Sequence, residues 1–163
     1  MSELMVNSDD LIPATAREIY VEASSKLNSS ELSVRNMLRK MNVEVVCTTD
    51  DPCDSLEHHQ KIKADGFVID VIPAWLPDKA IAVEDAATFK SYLYKLSQVA
   101  GIEISQFDNL LEALHSPHDY FHQQGCRLSD HGLDKFYVKE NLNGEVSSIF
   151  NKVQKICQFS STN

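Results

Sequence analysis

The sequence has no apolar run approaching the roughly 20 residues that a bilayer-spanning helix needs. Its first ten residues, MSELMVNSDD, have neither the basic start nor the apolar stretch of a secretory leader. Both absences read as a soluble, cytoplasmic chain with no membrane partner. Cationic charge is scarce as well: 15 Lys and Arg against 24 Asp and Glu leave a formal charge of −9. Such a balance repels phosphate backbones and argues against a nucleic-acid partner. It does not exclude a small anionic ligand, because one local arginine or metal ion can reverse the field inside a pocket. The four cysteines, Cys47, Cys53, Cys126 and Cys157, match neither a zinc ribbon nor a dense disulfide scaffold. They read as reduced thiols, with Cys47 and Cys126 buried beside strands. Internal repeats and low-complexity tracts are absent.

What is present is an alternation of strand and helix patterns. The 163 residues are enough for one domain with a substantial core, spanning 1–163 with flexible ends at 1–10 and 160–163. Ala16, Ile19, Tyr20, Ala23 and Leu27 give residues 13–27 the spacing of an amphipathic helix. Ser30 caps a second helix through Lys40 that buries Val34, Met37, Leu38 and Met41. A first strand from Val43, a helix over 55–64 and a second strand over 67–72 form a β-α-β unit, turned at Asp65-Gly66. Helical pattern resumes over 83–100, stops at Gly101, and continues over 105–124 with a possible break at Ser116-Pro117. A short third strand covers 126–129, and helix returns to about Phe159. The fold class is therefore α/β: a helix-rich β-α-β segment with about three parallel strands and right-handed crossovers.

Three strand ends carry the candidate chemistry, as parallel folds place working groups at the carboxyl ends of their strands. The first, VEVVCTTDDPCD at 43–54, stops in hydroxyls and carboxylates and offers Asp50 and Asp51. A structural reading stands beside this one: Asp51-Pro52 makes a turn, and Asp54 or Ser55 caps the next helix. The second, VIDVIPAWLPD at 68–78, offers Trp75, which can stack on a sugar or fill the core. Lys79 just beyond it can attract a carboxylate or stay solvated. The third, GCRLSDHGL at 125–133, offers Asp130 and His131, a pair able to bind a metal, move a proton or orient a hydroxyl. His118 and His122 share one helix face at the spacing of a two-histidine metal clip, but Asp119-Tyr120 stands where an HExxH site has its glutamate. Packing is the simpler reading for them, as it is for His58-His59.

NVEVVCTTDDPCDSLEHHQKI, VIPAWLPDKA and HDYFHQQGCRLSDHGLD, in that order, resemble the uronate (glucuronate) isomerases, divergent members of the amidohydrolase-type metal-dependent barrels. The resemblance covers about residues 11–141 and implies part of a TIM-type barrel. It implies an aldose–ketose isomerisation, D-glucuronate to D-fructuronate and D-galacturonate to D-tagaturonate, with a proton shifted between the first two carbons through an enediol. Such a reaction needs a base, an electrophile for the oxyanion and a cationic clamp for the sugar carboxylate. The resemblance further implies a divalent metal, commonly zinc, in the complete enzyme. It places Asp130 near the sugar as the catalytic candidate, with Asp50, Asp51, Trp75 and His131 as substrate-binding candidates.

Two departures shape the expectation. The family's HxH metal ligands and late aspartate–arginine strand have no counterpart in this sequence, so no metal site is expected within it. Leu76 stands where the family's loop carries an arginine that resembles a substrate-binding group, and leucine cannot donate to a carboxylate. The expected molecule is therefore an internal portion of the barrel, inactive alone, whose exposed strand edges favour self-association or complementing barrel segments. A non-catalytic binding or assembly module on the same scaffold is the alternative. An independent metal hydrolase using His118, His122 and Asp130 is a third.

Overall fold

A computed structural model of the chain describes residues 12–132 and 143–156. The expected frayed ends, 1–10 and 160–163, and Cys157 lie outside the described residues. By internal contacts the described residues group into two compact units.

The smaller unit comprises residues 12–46 with 68–70. It holds α1 (Ala16–Leu27), a 3-10 turn at Ser30–Leu32 and α2 (Val34–Lys40). The single helix expected from Ser30 is split because Ser33 leaves helical geometry, with φ −56° and ψ 151°, and Asn36 donates its side-chain amide to the Ser30 carbonyl. Leu32 is the buried side chain here. Val34 and Met41, expected inside, are exposed, and α1 leaves Tyr20 and Leu27 exposed as well.

The larger unit comprises residues 47–67 with the described residues from 71 onward. β1 (Val45–Asp50) and β2 (Asp70–Trp75) pair in parallel, joined by α3 (Glu57–Ala64). β2 begins three residues later than its apolar pattern predicts. Gly66, at φ 66°, turns the chain out of α3, and the Phe67 amide still bonds back to Ile62, so Val68 is left 78% exposed. The α/β class with parallel strands holds, but the third strand is reduced to one parallel bridge, Trp75 to Ser129. The register explains why. Asp70 and Leu76 turn their amides to β1, bonding Glu44 and Asp50, whereas Trp75 turns to the third strand and bonds Leu128. By alternation Pro73 faces the same way as Trp75, has no N–H to extend that ladder, and removes nothing from the pairing with β1.

α4 (Ala86–Ala100) starts where the Asp85 carboxylate accepts the Ala87 and Thr88 amides and ends at Gly101, whose φ is 69°. α5 (Phe107–Gln123) runs unbroken through Pro117, against the expected break. Leu110, Ala113, Pro117 and Phe121 form its buried stripe, so the proline ring packs inward and the helix is held on both sides of the missing N–H. With α6 (Asn143–Ile156) these helices enclose one core of Phe89, Leu93, Leu96, Leu110, Ala113 and Phe150. A second core gathers Leu56, Trp75, Phe121 and Cys126 under the strand ends. α3 is tied to α5 through the Tyr120 hydroxyl, which donates to the Ser55 carbonyl and accepts from Gln60. Cys53 and Cys126 are buried, while Cys47, expected inside, lies on the exposed face of β1.

Candidate functional site

Three backbone hydrogen bonds bring the strand ends level. Leu76 donates to the Asp50 carbonyl at 3.0 Å, Trp75 to the Leu128 carbonyl at 3.1 Å, and Asp130 to the Trp75 carbonyl at 2.9 Å. Asp50, Trp75 and Asp130 therefore stand in one row along the carboxyl edge of the sheet.

Within that row the side chains have different roles. Asp130 is exposed and accepts the His131 amide at 2.9 Å through Oδ1. His131 Nδ1 lies 2.9 Å from Asp78 Oδ1, and the Gly132 amide donates to Asp78 Oδ2 at 2.8 Å. The Gly132 amide, with the imidazole beside it, holds the Asp78 carboxyl below its ordinary value. Because a carboxylate only accepts, the His131 proton sits on Nδ1, and in the neutral ring Nε2 is the bare, basic nitrogen. Asp50 accepts the Thr48 hydroxyl at 2.6 Å and has His59 Nε2 at 3.6 Å.

Asp51 and Trp75 are turned inward. Asp51 is 9% exposed, accepts the Cys53 amide at 2.9 Å in the turn the sequence suggests, and has Lys79 Nζ at 3.3 Å. Its charge adds to the burial that pushes the Tyr92 phenol and the Cys53 thiol up. Neither Asp54 nor Ser55 caps α3. Leu56, at φ 54°, occupies the cap, and Asp54 accepts the Asp51 amide instead. Trp75 is 7% exposed and meets Phe121 and His118 edge to face at 5.0 and 5.2 Å. It floors an open cleft of about 260 Å³ that is also lined by His118, His122 and Arg127.

Sequence reasoning did not single out Asp78, Thr48 or Arg127, and it read His59 only as packing. Asp78 had a readable signal, being the carboxylate that closes the second strand end. Arg127 binds the His122 and Cys126 carbonyls, which the sequence pattern does not foretell. Among the described residues no group of three or more His, Cys, Asp or Glu side chains converges at metal-binding distance. His118, His122 and Asp130 thus do not assemble the donor set of a hydrolase. The zinc that the resemblance implies finds no fit among these residues.

The family model for glucuronate isomerase matches residues 4–163. The chain belongs to the glucuronate isomerase family. The uronate isomerase of Bacteroides thetaiotaomicron is 54% identical over 143 residues, 88% of this chain and 31% of that protein. That of Cellvibrio japonicus is 43% identical, covering 86% and 30% respectively. Among solved structures, the uronate isomerase of Thermotoga maritima aligns with a TM-score of 0.75 at 35% identity, covering 86% of this chain and 30% of that one. The glucuronate isomerase of Caulobacter crescentus gives 0.77 at 26%, covering 89% and 30%. The chain therefore spans about 31% of the length of the curated family members it matches. Its β1, β2 and bridged third strand end form a segment of the family's TIM-type barrel.

Proposed function

We propose that this chain supplies part of the sugar-contacting rim of a uronate isomerase site. The reaction is the aldose–ketose isomerisation of D-glucuronate or D-galacturonate, and the residues described here bind sugar without turning it over alone. The observation that carries the reading is the level row of strand ends with Asp78 fixing His131 beside Asp130. In this reading Asp130 touches the sugar hydroxyls at the reacting carbons and is the catalytic group. The bare Nε2 of His131 accepts a proton or a hydroxyl hydrogen bond. Asp50 accepts a hydroxyl further along the row, while Asp51 and Trp75, both buried, contribute by shaping the rim from beneath.

Leu76 favours a second reading, a binding module on the same scaffold, since it replaces the arginine that would clamp the sugar carboxylate. Titration of the chain with D-glucuronate, followed by an isomerase assay with added zinc or manganese, separates the readings. Weak binding that Asp130→Ala abolishes, without turnover, supports the rim reading. Binding unchanged by Asp130→Ala removes Asp130 from the site. Turnover by the chain alone contradicts the claim that it cannot react unaided.

A further inference from the structure

Thr48, Asp50 and His59 form a hydrogen-bonded chain at the end of β1 whose proton arrangement follows from donor counting. Thr48 and Asp50 lie two apart on the half-buried face of the strand, so their side chains point the same way. His59 comes from α3, and its side chain is only 10% exposed. Its Nε2 stands 2.7 Å from Thr48 Oγ1, and Thr48 Oγ1 stands 2.6 Å from Asp50 Oδ2. The threonine hydroxyl has one proton. Asp50 as a carboxylate can only accept, so that proton goes to Oδ2 in preference to the Ile72 carbonyl, 3.4 Å away. Thr48 Oγ1 must then accept from His59, which puts a proton on Nε2. Nδ1 is buried with no hydrogen-bond partner among the described residues. Left bare, it is an unsatisfied acceptor, which folded proteins tolerate better than an orphaned N–H.

We propose that His59 is a positioning residue for Asp50: acting through the Thr48 hydroxyl, its Nε2–H fixes one carboxylate oxygen of Asp50 inward and leaves Oδ1 as an oriented acceptor for a hydroxyl of a polyhydroxy ligand. No described residue donates to Oδ1. The hydrogen-bond chain stands independently of the proposed function, and the identity of the ligand rests on it.

Long-range nitrogen–proton correlation spectra of the full chain test the first half. The expected result is a proton on His59 Nε2, protected from solvent exchange, lost in Thr48→Val and restored in Thr48→Ser. A proton confined to Nδ1 in the wild-type chain, or an Nε2–H indifferent to Thr48→Val, overturns the proposal without requiring any variant to bind ligand. For the second half, D-glucuronate is the probe. Thr48→Val weakens its binding by about threefold to tenfold, the worth of one net hydrogen bond, and Thr48→Ser does not. Equal binding by all three proteins overturns the ligand role of Asp50. A wild-type chain that binds no D-glucuronate sinks the rim reading and that ligand role together, while the state of Nε2 still decides the hydrogen-bond chain.

Discussion

The imidazole of His131 and the carboxylate of Asp78 meet at 2.9 Å although 53 positions separate them in sequence. The contact ties the second strand end to the third and sets which ring nitrogen is basic. Asp78→Asn should reverse that choice. The asparagine carbonyl keeps the Gly132 amide, its NH2 faces His131 Nδ1, and the imidazole proton moves to Nε2. Nitrogen-15 spectra of the two proteins will show His131 as opposite tautomers. If both carry the proton on Nδ1, the contact does not control the ring.

The same carboxylate predicts an acid dependence. Its folded value is lowered, chiefly by the Gly132 amide and also by His131. Its contribution to stability is therefore complete above the unfolded value, about 3.9, and is lost as pH falls through the folded one. Chemical denaturation of wild type and Asp78→Asn should show the largest difference near neutrality. The two curves should converge below about pH 4. A gap that stays constant into acid would assign the stability difference to another cause.

Phe121 is fully buried and touches Trp75 edge to face, so truncating it empties the small core under the strand ends. Phe121→Ala should lose about 3–5 kcal/mol. His118→Ala, removing an exposed ring that also meets Trp75 edge to face, should stay within about 0.5 kcal/mol. Urea unfolding measures both. Similar losses for the two would mean that the cleft beside Trp75 is as tightly packed as the core.

Gly101 and Gly125 both have positive φ, 69° and 103°, but meet different surroundings. A Cβ at Gly101 finds nothing within 4 Å, so Gly101→Ala should lose only the left-handed backbone penalty, about 1–2 kcal/mol. A Cβ at Gly125 lands 3.3 Å from Ile72 Cγ2 in a region that side chains avoid, and Gly125→Ala should lose more. The order of the two unfolding midpoints checks this.

Much of this was legible because local signals agreed with the fold. Gly101 stops α4 as its sequence suggests, and the strand-end carboxylates emerge where the apolar runs finish. What escaped depends on partners distant in sequence. Pro117 reads as a breaker, yet it lies inside α5 because the buried stripe on both sides holds the helix. Pro73 gave no hint that the third strand would shrink to one bridge, since that depends on which way each β2 amide faces. His59 reads as half of a structural His-His pair. Only the fold shows its Nε2 set against Thr48 and Asp50 while His58 is solvated.

Leu76 offers the most direct functional test. Its amide is fixed on the Asp50 carbonyl and its side chain is half-buried at the rim, at the position where the resemblance puts an arginine. A guanidinium there would supply a carboxylate clamp at this position, and a charge-assisted hydrogen bond contributes about 1.5–3 kcal/mol. Leu76→Arg should therefore tighten D-glucuronate binding by about ten- to a hundredfold. D-glucose, which differs only in carrying a hydroxymethyl group in place of the carboxylate, should gain nothing. Calorimetric titration with the two sugars decides the matter: a gain confined to the uronate puts residue 76 against the carboxylate end of the ligand. Equal gains, or none, would move the sugar carboxylate elsewhere on the rim and remove the main argument that the leucine disabled the site.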